Sequence, residues 1–331
     1  MSKTTRFVIM TMAFLGLAFL SYSEASAAME KHAPVVFSTG SPTGTWFPTG
    51  AGIADMTNGH YDGQPISVIP GAGGVGNPKR VGTGQAELGF SYGPFLKLAI
   101  QGGNEMYKDA MPKLRAIAAM TPNKLHLVMD KEKLVDLATL AKSKPSLRVG
   151  TGPVGSTELF SLGELFKYYG YSFKDVESWG GRVDRMNTGG RSDAWKNRQL
   201  DIAQFFINNP ASRVIELMSG RPSVLVSLKD DAREALGKKW GFLKFTIPAN
   251  QYPNQAKDVQ TIGIPFVAFG TSDLDEEMVY IMTKSVAENH ARMISSHSAF
   301  KGWKPEDMPK GLGVAIHDGA ARYYKERGWI K

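Results

Sequence analysis

The 331 residues read as an α/β chain in two lobes, with mixed sheets, a hinge between the lobes and a ligand cleft at their junction. Three observations carry that expectation. Short β-branched and aromatic runs alternate with helix-compatible segments, the pattern of parallel or mixed sheets covered by helices. The alternating series occurs twice, with a break at Thr121-Pro122-Asn123 between the two runs. Each series also holds a glycine- and hydroxyl-rich turn between a strand end and a helix start, at 39–45 and at 150–157. The length suits two units of ~100–200 residues. The boundaries that follow are 28–122 plus 271–331 for lobe I, and 123–270 for lobe II with the hinge strands.

Ahead of the first strand, Lys3 and Arg6 precede an apolar run over 7–20 that only Thr11 interrupts, and Ala25-Ser26-Ala27 supplies a small-x-small cleavage site. At ~1.5 Å per residue the run spans ~21 Å, short of a ~30 Å hydrocarbon core. Residues 1–27 are therefore expected to be a signal peptide cleaved after Ala27, delivering the mature chain to the periplasm.

The elements follow in order. Val35-Val36-Phe37-Ser38 is a strand, and 48–58 is a helix with Ile53 and Met56 as apolar positions. Ile66-Ser67-Val68-Ile69 is a strand followed by a glycine-dense loop over 70–77. Short apolar runs at 88–90, 114–120 and 125–129 are further strands bounded by turn residues. The pattern then recurs: Leu147-Arg148-Val149, the second glycine turn, and a helix over 158–169 carrying Leu162, Leu165 and Phe166. Strands are expected at 202–207, 224–228 and 261–270. Ser272 with Asp275 reads as a capping box that opens a helix reaching about 294, with Leu274, Met278, Ile281, Met282 and Val286 on one side.

Composition narrows the chemistry. There is no cysteine, which excludes disulfides, thiolate-bound metals, a thiol nucleophile and a lipid-bearing N-terminal cysteine. Lys and Arg exceed Asp and Glu by 39 to 31, and by 37 to 30 once residues 1–27 are removed. The surplus is scattered and nowhere interleaved with stacking aromatics, so it favours an anionic solute over a nucleic acid. The six histidines show no H-x-H or H-x-x-x-H spacing, and no serine lies in G-x-S-x-G. No catalytic residue, metal or cofactor is expected. Gly71-Ala72-Gly73-Gly74-Val75-Gly76 spells G-x-G-x-x-G after a strand, but Pro78 and the glycines at 82 and 84 leave no long helix to hold a pyrophosphate.

The two glycine turns are the candidate site. A loop entering a helix offers unpaired N–H groups at the positive end of the helix dipole, and so favours an anion. Thr39, Gly40, Ser41, Thr43, Gly44 and Thr45 make one such loop, and Gly155, Ser156 and Thr157 end the other. Trp46, Phe47 and Tyr92 lie beside glycine loops as apolar cleft walls. The aperiodic stretch 179–191 holds Arg182 and Arg185, and a guanidinium there suits a carboxylate.

The loops together with the C-terminal third resemble the TAXI family of TRAP-transporter solute-binding proteins over essentially the whole mature chain. The matching segments are 38–48, 85–90 and Gly155-Ser156-Thr157-Glu158. They continue with Thr246-Ile247-Pro248-Ala249, Tyr252-Pro253, 258–265, Asp273-Leu274-Asp275-Glu276 and His317 to Tyr324. The resemblance implies a two-lobed periplasmic binding protein of type II-like architecture. It would be a monomer that captures a carboxylate-containing organic anion or amino acid and delivers it to a TRAP membrane permease. It implies ligand contacts from the first loop and its aromatics, from Asn77, and from Gly155, Ser156 and Thr157. Gly74, Ser91, Arg182 and Asn209 complete the expected set. The family carries two tyrosines where Trp46 and Phe47 stand, a serine at Gly74 and a glutamine near Ser91, so a more apolar wall is expected here. Alternatives on the same fold are a tripartite tricarboxylate-type binding protein, a ligand-sensing protein and an exported enzyme.

Overall fold

The computed structural model describes residues 31–331; the expected signal peptide and its cleavage site lie outside the described residues. The chain begins with β1 (Val35–Ser38), α1 (Trp46–Asn58), β2 (Ile66–Ile69), α2 (Gly73–Gly82), β3 (Leu88–Tyr92) and α3 (Gly93–Gln101), then enters the long β4 (Leu114–Asp130). The second series is α4 (Leu140–Ser143), β5 (Arg148–Thr151), α5 (Thr157–Tyr168), α6 (Phe173–Ser178), β6 (Arg182–Arg185), α7 (Thr188–Lys196) and β7 (Ile202–Ile207). It continues through α8 (Ser212–Gly220), β8 (Ser223–Leu225), α9 (Asp230–Trp240) and β9 (Leu243–Ile247) into β10 (Val259–Thr271). The chain closes with α10 (Glu276–Glu288), α11 (His290–Ser296) and α12 (Asp318–Glu326).

The result is an α/β fold on one mixed sheet, in the order β2-β1-β3-β10-β4-β7-β5-β6, with β8 beside β4 and β9 beside β10. β1 runs parallel to β2 and β3, and β5 runs parallel to β6 and β7. Each parallel set thus forms one half of the molecule, and an antiparallel pair, β4 with β10, belongs to both.

The expected break at Thr121-Pro122-Asn123 is absent, because β4 runs straight through it. Proline normally interrupts a ladder because it lacks an N–H. Here Pro122 lies opposite Pro265 of β10, and the register shifts between Pro265 and Val267. The two residues without donors therefore face each other. At the same level β10 exchanges β9, paired over 259–263, for β3, paired over 266–270, and β4 takes up β7 from Lys124 onward.

Several boundaries differ from the sequence reading for local reasons. The glycine-dense 70–77 stretch is not all loop, since α2 starts at Gly73 and carries Pro78 in its interior. The α10 cap is Asp275, whose carboxylate accepts the Met278 N–H at 2.7 Å, and Ser272 stands outside. The helix does not reach 294: the Asn289 amide donates to the Ser285 carbonyl at 2.8 Å, and the backbone turns there before α11. His317 caps α12, and the Tyr324 hydroxyl donates to the Ile117 carbonyl at 2.7 Å, tying the C-terminus to β4.

Phe37, Phe90 and Phe266, from three neighbouring strands, are fully buried, with Phe90 4.7 Å and 5.0 Å from the other two ring centres. Each contributes roughly 1.5–3 kcal/mol by burial and together they back the site described below. No helix of the described residues is long and apolar enough to cross a membrane.

His126 of β4 is completely buried, with Nδ1 3.0 Å from the Lys124 carbonyl and Nε2 2.8 Å from the Tyr252 hydroxyl. Burial pushes its imidazole down to about 4, and the Lys124 charge acts the same way. At pH 7.5 the ring is neutral in both folded and unfolded chains. Between the unfolded value of ~6.5 and 4, the unfolded chain takes up a proton that the folded chain does not, so stability falls as pH falls. Denaturant melts should show His126 costing about 2 kcal/mol between pH 7.5 and pH 5. His126→Gln should remove most of that difference, and an unchanged pH dependence in the variant would refute the assignment.

Candidate ligand-binding site

The 39–45 turn carries the chain from the end of β1 into α1, and the 150–157 turn carries it from β5 into α5. α2 and α7 begin close by, at Gly73 and Thr188. The first turns of all four helices line a single cavity of about 240 Å³ between the two halves of the sheet. Its floor comes from the central strands: Tyr92 at the end of β3, Asn123 of β4, and Phe205 and Phe206 of β7. Trp46 forms a wall, its ring 5.7 Å from Phe90, 5.4 Å from Tyr92 and 5.4 Å from Phe266.

The electrostatics follow from the helices. A helix N-terminus carries roughly half a positive charge and unpaired N–H groups. α1, α2 and α7 have no acidic residue in their first turns, so nothing in those turns offsets the dipole. α5 has Glu158 there. Its carboxylate accepts Nη2 of Arg191 at 3.1 Å, while Nη1 donates to the Met186 carbonyl at 2.6 Å. The Arg191 guanidinium is wholly buried, 4.8 Å from the Phe205 ring centre. Burial lowers its pKa and the Glu158 charge opposes that shift. Tyr92 is also buried, which raises its phenol well above the usual value, as does the Glu158 charge, so it adds no charge at neutral pH.

Residues lining the cavity carry five buried side-chain atoms without a hydrogen-bond partner: Thr45 Oγ1, Trp46 Nε1, Asn123 Oδ1, Thr157 Oγ1 and Arg191 Nε. Each such atom costs about 1–3 kcal/mol when left unpaired. Two are obligate donors, one is an acceptor and two are hydroxyls. All five are sealed from water in this structure.

Of the residues expected from sequence, Gly40, Ser41, Gly44, Thr45, Trp46, Gly74, Tyr92, Ser156 and Thr157 line this cavity. Others stand behind it. Asn77 is fully buried and donates to the carbonyls of Thr39 and Phe90 at 2.8 Å each, while its oxygen accepts the Ala72 N–H at 2.8 Å. It thus fixes the β1 exit against β3 and the start of α2. The Thr39 hydroxyl donates to the Ile69 carbonyl at 2.9 Å, and the Ser91 hydroxyl to the Gly74 carbonyl at 2.6 Å. Ser156 caps α5, accepting the Leu159 N–H at 3.1 Å.

The remaining expected residues do not reach the cavity. Thr43 lies at the rim facing Gly189, and Phe47 is half-buried on α1 away from the lining. Arg182 is exposed on β6 and pairs with Asp184 at 2.7 Å. Asn209 belongs to a separate polar group, accepting the Tyr252 hydroxyl at 3.0 Å and donating to Gln251. The 179–191 stretch does bring a guanidinium to the cavity, but it is Arg191, because Asn187 caps α7 and the first helical turn points that side chain inward. Asn123, Glu158, Thr188 and Arg191 are among the lining residues that sequence reasoning missed. Their signals were the polar residue at the proline break, the acid after Gly-Ser-Thr, and the helix start hidden in an aperiodic stretch. Among the described residues no group of three or more His, Asp or Glu side chains is placed to hold a metal.

The two halves touch through backbone. The Gly155 carbonyl accepts N–H bonds from Val75 and Gly76, at 3.0 Å each. Gly155 has φ +87 and Gly73 has φ +80, conformations that favour glycine. A Cβ on Gly155 would lie 2.7 Å from the Ala72 oxygen, and one on Gly73 2.8 Å from the Ser156 Cα. Gly155→Ala should break this latch and open the cleft. Small-angle scattering should give a larger radius of gyration than for the parent protein; an unchanged radius would refute the latch.

Solved structures show the same architecture. MatC from Rhodopseudomonas palustris with bound malate is 14% identical, covers 88% of this chain and 98% of its own, and superposes with a TM-score of 0.55. The periplasmic binding protein BugD is 12% identical, with 90% and 98% coverage and a TM-score of 0.53. These likenesses assign the fold alone, an α/β fold similar to that of two-lobed periplasmic binding proteins. The NMT1-like family matches residues 37–328, nearly all the described residues, and the chain belongs to that family.

Proposed function

We propose that this protein is an exported, monomeric solute-binding receptor of the TAXI type. In this reading it captures a small carboxylate-bearing solute, an organic anion or amino acid, in the interlobe cavity and presents it to a TRAP-type permease. The observation that carries the reading is the convergence of four helix N-termini on one cavity. That arrangement suits anion capture. The malate held by MatC supports it, since a related architecture there accommodates a small carboxylate.

Lobe I then comprises 28–122 with 271–331, and lobe II comprises 123–270. The crossing at Pro122 and Pro265 serves as the hinge, because it is the level at which both long strands change their outer neighbours. Hinge opening would release Gly155 from the start of α2 to admit the solute, and closure would remake that contact and bury it. Binding, and no turnover, is the activity expected of the isolated protein.

Mass spectrometry of molecules that co-purify, followed by a thermal-shift panel of carboxylates and amino acids, tests the reading. A stoichiometric shift without turnover is expected. If no anion or amino acid raises the melting temperature, the receptor reading fails; turnover of a bound acid would place the protein among exported enzymes. Trp46→Phe replaces the indole with a smaller ring and thins the wall it gives the cavity. It should weaken the best carboxylate of the panel about tenfold, as for ~1–2 kcal/mol of lost apolar contact. Uptake of that solute into vesicles holding the cognate permease, with and without the receptor, tests delivery.

A further inference from the structure

Resting on the receptor reading, the charges lining the cavity narrow the solute further. Among the described residues, three titratable residues line it: Arg191, Glu158 and Tyr92. Tyr92 is neutral. Arg191 is the one cation, and it is already engaged by Glu158 at 3.1 Å and by the Met186 carbonyl at 2.6 Å. The ionic charge built into the cavity therefore sums to zero. A first carboxylate has ample partners in the helix N-termini. A second carboxylate meets no uncompensated side-chain cation. In a cavity of about 240 Å³ it would also lie within a few ångströms of the Glu158 carboxylate, where like charges repel strongly at low dielectric. The acceptor that remains, the partly exposed Glu158 carboxylate, calls for a donor on the ligand.

We infer that the site selects a monocarboxylate bearing an N–H or O–H donor, such as a neutral α-amino acid or a hydroxy acid with one charge, and rejects dicarboxylates. Glu158 is the specificity-determining residue. It neutralises the Arg191 charge that a second carboxylate would need and offers its own oxygen to the ligand's donor.

The test uses near-isosteric pairs that differ only in a far-end carboxylate or carboxamide: glutamate with glutamine, aspartate with asparagine, malate with malamic acid. In calorimetric titrations of the intact mature protein, the carboxamide should bind at least tenfold tighter in each pair that binds. Glu158→Gln should shrink that ratio or reverse it, since Arg191 is then free to meet a second carboxylate. Equal or tighter binding of the dicarboxylate by the parent protein overturns the inference, as does an unchanged ratio in Glu158→Gln. Absence of binding by all six compounds also overturns it, while the broader panel of the preceding section still decides the receptor reading. The parent-protein comparison stands whether or not the variant folds.

Discussion

The antiparallel pairing of β4 with β10 is the constraint on which the rest of the molecule depends. These are the two longest strands, and they are the part of the sheet that both parallel halves share. β1, β2 and β3 build outward from one end of the pair, and β7, β5 and β6 from the other. With strand ends set in this way, helices that start after β1 and β5 must begin near the same place. The cavity is a consequence of that topology, in accord with the general placement of ligands beyond the carboxyl ends of strands in open α/β sheets. Two prolines set opposite each other make the junction tolerable, because neither strand presents an N–H that its partner has to accept.

Within the cavity, weak sources of positive potential add up without a net ionic charge. Helix dipoles from α1, α2 and α7 act unopposed within their own first turns, whereas Arg191 is balanced by Glu158. Preorganised donors of this kind need no reorganisation on binding, and their strength depends on exclusion of water. The Asn77 clamp and the Ser91 hydroxyl supply the rigidity: each ties backbone segments that would otherwise present the glycine loops in variable positions.

Much of the site was legible because its chemistry is local. Glycine and hydroxyl residues between a strand and a helix announce exposed N–H groups whatever surrounds them, and Thr45, Ser156 and Thr157, which line the cavity, were singled out on that ground. Arg191 and Asn123 were not found because their value lies in what they face. Nothing near Arg191 in the chain distinguishes it from the exposed Arg182, nine residues earlier. Only the Asn187 cap and the packing of α7 on β7 turn one inward and leave the other in solvent. Asn209 lies outside the cavity for the opposite reason: its polar partners Tyr252 and Gln251 come from a loop more than forty residues away and hold it there.

By itself, the sequence determined the α/β class, the alternation of elements and the two anion-favouring turns, since each depends on periodicity or backbone chemistry within a few residues. The tertiary structure decided that the proline break is a crossing of two continuous strands, and which guanidinium enters the cavity. It also decided that Glu158 neutralises that guanidinium. Those outcomes depend on pairings between residues tens to more than a hundred positions apart, such as Pro122 with Pro265 and Glu158 with Arg191. Such pairings are set by burial and register, which local sequence patterns do not encode.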